Sequence, residues 1–185
     1  MSTNFKIEST AVRRAGSAAA AAREYLNFRL GEEEYGIDIL RVQEIRSYEV
    51  PTRIAGAAGF LRGVLDLRGV IVPVVDLRLR FDLEARFDEL TVTVVLNVAG
   101  RTVAAVVDSV SDVLELTPAQ IKPMPTCNAS IDALHVIGMA SLVTDETERT
   151  ILLLDIEPLM LSPEMGLHVE TASVACAQAG IPEFQ

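Results

Sequence analysis

Tryptophan is absent from this chain, aromatic side chains make up only 5% of it, and cysteine and histidine occur twice each. Few aromatics in a chain that is half hydrophobic leave Val, Leu, Ile and Ala to build the core, which suits packed sheets better than an aromatic-lined ligand pocket. Two cysteines, Cys127 and Cys176, are too few for a disulfide framework and fit a reducing cytoplasm. A zinc site draws on convergent His and Cys, and His135 and His168 stand apart with neither cysteine near a partner, so no metal is expected. Basic residues are outnumbered, 16 against 26, for a net charge of -10. That sign argues against nucleic-acid binding, which needs phosphate neutralisation. No apolar run reaches the roughly 18 residues of a membrane span, and the Ala18–Ala22 run lacks the bulky apolar stretch of a signal peptide.

What is present reads as a succession of short strands. Residues 1–22, rich in Ala and Ser with Arg13 and Arg14, show no periodicity that would bury a face and are expected to be a flexible arm. From Glu24 the pattern alternates, with Leu26, Phe28 and Leu30 opposite Tyr25, Asn27 and Arg29, as in a half-buried strand. Gly31 turns the chain and Glu34–Ile37 returns. Asp38 then stands where a helix N-cap belongs, and Ile39, Val42 and Ile45, spaced by threes, predict a short helix that ends before Pro51. Ile54–Gly59 is a Gly/Ala-rich loop that allows close backbone approach.

Gly63–Phe81, GVLDLRGVIVPVVDLRLRF, predicts a strand, a tight turn at Arg68-Gly69, a second strand over Val70–Val75, and a short basic segment entered through Asp76. Gly69 takes a positive φ without steric cost, which holds Arg68 outward at the corner. Arg62, Arg78 and Arg80 are read as solvated. Val92, Val94, Leu96 and Val98 line one face of the clearest strand, Ala99-Gly100 turns it, and Thr102–Val107 returns. Val110–Leu116 follows, then a long loop from Thr117 to about Leu134, a late hairpin over Val136–Val143 and Thr150–Ile156 around TDETER, and a closing helix from Glu157 to Leu161. Residues 166–185 read as a second flexible tail. Eight or nine short strands with few helices indicate an all-β barrel or sandwich arrangement. LRGVL and LRGVI at Leu61 and Leu67 are the only recurrence, and two copies six residues apart are assigned to chance.

Chemistry is scarce. A Ser-His-Asp or Cys-His site would have to use His135, better read as a strand histidine. No phosphate-cradling glycine loop occurs. Asp66, Asp76, Asp108, Asp112 and Asp155 stand near strand ends, where a close pair could do acid/base work, but an Asp leaving a strand more commonly caps the next turn, as Asp76 is expected to do for Leu77–Phe81. The remaining candidates are surfaces, with Arg68 on its rigid corner suited to bidentate anchoring of a partner carboxylate.

The stretch LRGVIVPVVDLR, with EEYGIDILRVQEI before it and VVDSVSDVLELTPAQI after it, resembles the CheW family of chemotaxis coupling proteins over about Glu24–Ser162, with Asp66 where Asn is common. The resemblance implies an all-β fold with a few short helices, two SH3-like five-stranded β-barrels packed on each other within residues 23–165. One barrel would combine the first strands with the last hairpin and the other would take the middle of the chain. It also implies a cytoplasmic adaptor without catalytic activity or cofactor, recruited to membrane receptor arrays, that bridges the helical hairpin tip of chemoreceptors to the regulatory domain of the CheA histidine kinase. Val42, Glu44, Arg68 and Val92 match receptor-side positions, and exposed apolar positions at a barrel end would serve the kinase. An adaptor for a non-chemotactic kinase and, third, a carboxylate-based hydrolase are the alternatives.

Overall fold

The computed structural model describes residues 21–124, 135–144 and 147–165. Residues 1–20 of the expected arm, the tail over 166–185, most of the loop running to Leu134, and Cys127, His168 and Cys176 lie outside the described residues.

Among the described residues eleven strands form two sheets. β1 (Arg23–Leu30), β2 (Glu33–Asp38), β8 (Ser109–Leu116), β9 (Ile121–Lys122), β10 (Val136–Thr144) and β11 (Thr147–Leu154) build the first, in the order β8-β1-β2-β11-β10-β9. β3 (Val42–Ser47), β4 (Leu61–Leu67), β5 (Val70–Asp76), β6 (Val92–Val98) and β7 (Arg101–Val107) build the second, in the order β3-β6-β7-β5-β4. Two short helices, α1 (Leu77–Arg80) and α2 (Ile156–Leu161), follow β5 and β11. The first sheet combines the first strands with the last hairpin, and the second takes β3–β7 from the middle of the chain, but β8 and β9, also mid-chain, join the first sheet. The first sheet has six strands rather than five because the two-residue β9 joins it.

A repeat that no sequence motif announces organises the chain. β1–β2 hairpin, β3, β4–β5 hairpin and α1 are followed by β6–β7 hairpin, β8, β10–β11 hairpin and α2. The leading hairpin of each half joins the other half's sheet, through parallel pairing of β2 with β11 and of β7 with β5. Each sheet is therefore built from both halves of the chain. The helices repeat too, with reversed charge: Arg78 of α1 pairs with Asp108 beyond β7, and Glu157 of α2 pairs with Arg41 beyond β2 at 2.5 Å.

The central strands are buried on both faces. Leu26, Phe28 and Leu30 of β1 pack with Val94, Leu96 and Val98 of β6 and with Val103, Ala105 and Val107 of β7 in one core between the sheets. Val72, Val74, Val95, Ala104 and Val106 form a second core on the far face of the second sheet, and Tyr25, Leu116, Ala140, Ile151 and Leu153 a third on the far face of the first. Each fully buried Leu, Val or Phe contributes about 1.5–3 kcal/mol. Tyr25 and Asn27, expected on a wetter face, are buried because each sheet curls over its own interior.

The helix expected over residues 39–46 is instead a 3-10 turn, Ile39–Arg41, followed by β3. Asp38 does cap it, accepting from the Leu40 N–H at 2.9 Å. The spacing by threes has a different origin. Val42 lies opposite Leu96 and Ile45 opposite Val94, with a bulge between Val42 and Glu44, so one extra residue puts both side chains on the core face.

The second sheet closes on itself. Beyond β3 the Tyr48 N–H donates to the Thr91 carbonyl, and Thr52 then exchanges both backbone hydrogen bonds with Val64 of β4, at 2.9 and 2.8 Å. Gly63 makes that approach possible: its φ is +142°, and a Cβ there would stand 2.0 Å from the Thr52 carbonyl oxygen.

Candidate partner-docking site

The β4–β5 hairpin turns on Arg68 and Gly69, both with positive φ, 57° and 84°. This is the primed two-residue turn whose twist matches the flanking strands. Glycine adopts it freely, whereas the arginine does so at a cost of about 1–2 kcal/mol. Asp66 offsets part of that cost, its carboxylate accepting the Gly69 N–H at 2.6 Å. The β6–β7 turn at Ala99-Gly100 repeats the device, with Asn97 accepting the Gly100 N–H at 3.0 Å.

Arg68 projects with 82% of its side chain exposed, yet it has a partner. Its Nη2 donates to Glu44 Oε2 at 3.0 Å, joining the tip of one hairpin to the edge strand β3. Arg46 lies 3.8 Å from the other Glu44 oxygen and pairs with Glu49 at 2.9 Å, so charges alternate along this rim. Exposed ion pairs contribute about 0–1 kcal/mol, too little to be what holds the barrel shut. The pair positions two charged groups that a partner can engage at small cost to the fold. Val70 and Ile71 beside the turn are exposed apolar side chains.

Of the four residues matched to receptor-side positions, Glu44 and Arg68 are in contact, and Val42 and Val92 are not part of that contact. Both valines are half-buried against the core between the sheets, at opposite ends of the β3–β6 ladder, Val42 opposite Leu96 and Val92 opposite Ser47. Because β3 is an edge strand, the face carrying Val42 and the rim carrying Glu44 meet along one border.

The structure corrects the reading of Arg78 and Arg80 as solvated. Arg78 is fully buried and Arg80 nearly so. The Arg78 guanidinium donates to both Asp76 oxygens at 2.9 Å, to Asp108 at 2.9 Å and to the Arg86 carbonyl, and lies 4.5 Å over the Phe87 ring centre. Burial alone would lower its pKa, but the hydrogen bonds and charges of Asp76 and Asp108 outweigh burial and hold it above the ordinary value. Asp108 also accepts the Gly31 N–H at 2.7 Å, and its own N–H donates to the Arg29 carbonyl, so one arginine ties the β1–β2 turn to α1. The available signal in the sequence is the spacing Asp76-Leu-Arg78, which lets a capping carboxylate reach the guanidinium two residues on.

Four of the five carboxylates considered for acid/base work are spent on structure. Asp66 caps a turn, Asp76 and Asp108 hold Arg78, and Asp112 accepts from Asn27 at 3.0 Å. Asp155 is the exception: its exposed carboxylate makes no capping hydrogen bond to α2, and only its backbone N–H is engaged, donating to the carbonyl of His135, whose Nδ1 is buried without a hydrogen-bond partner among the described residues. Among the described residues no cluster of His, Cys, Asp and Glu is placed to hold a metal ion, and no helix is long and apolar enough to cross a membrane.

A family model of the CheW-like domain matches residues 24–164, which takes in both sheets and both helices. The chain belongs to the CheW family. The chemotaxis protein CheW of Klebsiella aerogenes is 50% identical over 146 residues, covering 78% of this chain and 86% of that protein. The probable chemotaxis protein CheW of Rhizobium etli is 30% identical over 143 residues, covering 77% and 90%. Among solved structures, that of the scaffolding protein TtCheW from Thermoanaerobacter tengcongensis matches with a TM-score of 0.68 at 29% identity, covering 77% of this chain and 95% of that one. CheW proteins are chemotaxis scaffolds rather than enzymes, and this chain is one of them.

Proposed function

We propose that the chain couples the cytoplasmic hairpin tip of transmembrane chemoreceptors to the regulatory domain of a CheA histidine kinase. Family membership supports the reading, and the observation that carries the site is the Glu44–Arg68 pair. It is a solvent-facing carboxylate–guanidinium pair on a barrel rim, with too little stability at stake to account for it as a fold element. A helical hairpin offers alternating charged and apolar side chains, and a border of Glu44 and Arg68 beside half-buried Val42 fits that pattern, with Val92 farther along the same ladder. Residues 23–165 form the coupling unit in this reading, and exposed apolar side chains at a barrel end serve the kinase.

An adaptor that holds two partners at once raises their effective concentration and lets the receptor's conformation bias the kinase. In this role the chain acts on the cytoplasmic side of receptor arrays. The test is reconstitution of receptor-containing membranes, the kinase and this protein. The protein is expected to co-sediment with the membranes and to raise receptor-dependent kinase autophosphorylation. Equal kinase activity with and without it would refute the reading.

A further inference from the structure

One pair of basic side chains has no place in the docking site above. Arg53 and Arg62 line a shallow pocket of about 240 Å³ whose remaining wall is Ile54, Ala57, Ala58 and Gly59 of the small-residue loop with Leu61. No carboxylate lines it, and among the described residues neither arginine is within ion-pairing distance of an acidic group. In a chain of net charge -10 with 26 acidic residues, two guanidiniums beside one pocket with no carboxylate between them are a local excess of positive charge. From Arg41 to Arg68 the chain carries more arginine than acidic residues.

The scaffold fixes both positions. Arg62 is the extra residue of a β-bulge, since Leu61 faces Val75 and Gly63 already faces Val74, and a bulge re-aims the side chain it carries. Arg53 follows Thr52, whose two backbone bonds to Val64 pin it against β4, and Gly63 is the residue that lets the two segments approach. Arg62 also lies over the ring of Phe87, 5.2 Å from its centre, and Phe87 packs in a tilted contact against Tyr48, ring centres 4.5 Å apart. A guanidinium packed by one face on an aromatic ring keeps its in-plane donors for another ligand. The loop contributes a second feature. Gly59, which lines the pocket, has open space where a Cβ would be, so a ligand can come close to the backbone there.

We infer that Arg53, Arg62 and the Ile54–Gly59 loop form a binding site for one oxyanion group, a carboxylate or a phosphate. The two guanidiniums supply charge-assisted hydrogen bonds, and the pocket volume admits a single such group rather than a nucleotide or a lipid. The site is separate from the Glu44–Arg68 rim, and a failure here leaves the proposed function standing.

The test is a titration of the full chain, followed by ¹H–¹⁵N spectra that resolve the Arg Nε–H and loop backbone signals. Inorganic phosphate is added in one arm and an acetylated hexaglutamate peptide in the other, both at constant ionic strength with chloride as the control. Saturable shifts of the Arg53 and Arg62 Nε–H signals are expected. Arg53→Gln and Arg62→Gln should each weaken the affinity about tenfold, and Arg62→Lys, which keeps the charge and loses the planar fork, should restore only part of it. Tighter binding of the peptide identifies the source as an acidic side chain of a partner protein, and binding of phosphate alone identifies a free ion. Both outcomes support the site. Unchanged spectra in both arms, equal shifts with chloride, or full binding by a folded Arg53→Gln/Arg62→Gln variant overturn it, with a melting curve confirming that the variant is folded.

Discussion

Replacing Arg78 with methionine keeps most of its volume and removes its charge and every donor. The buried Asp76 would then keep only the Arg78 backbone N–H at 3.2 Å. Asp108 would lose its guanidinium partner, and the Arg86 carbonyl and the Phe87 ring would lose their anchor. Breaking a buried ion pair by removing one member costs about 3–5 kcal/mol, because the other charge stays in a low-dielectric site. Domains are typically stable by about 5–15 kcal/mol, so the loss is a large share of the whole. At about 2–4 °C per kcal/mol for a domain of this size, the melting temperature should fall by roughly 6–20 °C. Urea denaturation of Arg78→Met, Asp76→Asn and the double variant gives the coupling directly. The double variant removes the stranded charge as well, so it should be less destabilised than the two single effects added together, by about 1–3 kcal/mol. A cost below about 1 kcal/mol for Arg78→Met, or strict additivity, would refute the assignment of Arg78 as the buried tie.

Other expectations follow from the same geometry. Arg68→Ala should change stability by less than about 1 kcal/mol and weaken receptor coupling by about 1–3 kcal/mol in a binding titration, with unchanged affinity counting against the docking role. Glu44→Lys places a third cation beside Arg46 and Arg68 and should disturb binding more than folding, and a collapse of the melting temperature would show that Glu44 supports the barrel. Gly63→Ala drives a Cβ into the Thr52 carbonyl and should cost at least about 2 kcal/mol, with faster amide exchange at Thr52 and Val64; a neutral substitution would mean that the barrel is not closed there. Burial pushes the Glu34 carboxyl up, but hydrogen bonds from Arg149 and Asn27 win and hold it below its ordinary value of 4.5. A depressed folded pKa gives stability that is present above the ordinary value and lost as pH falls through the folded one. Glu34→Gln should therefore flatten the pH dependence of stability below about pH 4.5, and an unaltered acid limb would count against the Arg149–Glu34 pair.

The strands were largely legible because they are short, β-branched and punctuated by turns. Gly63–Phe81 and the strand from Val92 fold as their patterns indicate, and the three motifs around them pointed to the family. What misled the pattern at Ile39–Ile45 was a bulge, which converts an alternating strand into a spacing of three, the mark of a helix. Pattern reading also assumes that one face of a strand is wet. Tyr25 and Asn27 defeat that assumption, since their faces turn into the curled interior of a sheet. Charge alone places Arg78 in solvent, and of its two counter-ions only Asp76 is close in sequence, Asp108 lying thirty residues away. The Glu44–Arg68 contact spans twenty-four residues and depends on barrel closure, which no local spacing encodes.

The exchange of hairpins between the two halves sets the order in which the chain can fold. Glu34 pairs with Ile151 in a parallel ladder, so β2 has no permanent neighbour on that side until more than a hundred further residues are available. Non-local parallel pairing is slow because loop-closure entropy is lost before the contacts form. During synthesis the β1–β2 hairpin, with Leu26, Phe28 and Leu30 on one face, therefore waits exposed while the second sheet assembles around β3–β7. The slow step of folding should be the docking of β11 onto that waiting hairpin, and the exposed interval before it is when two chains can trade hairpins with each other.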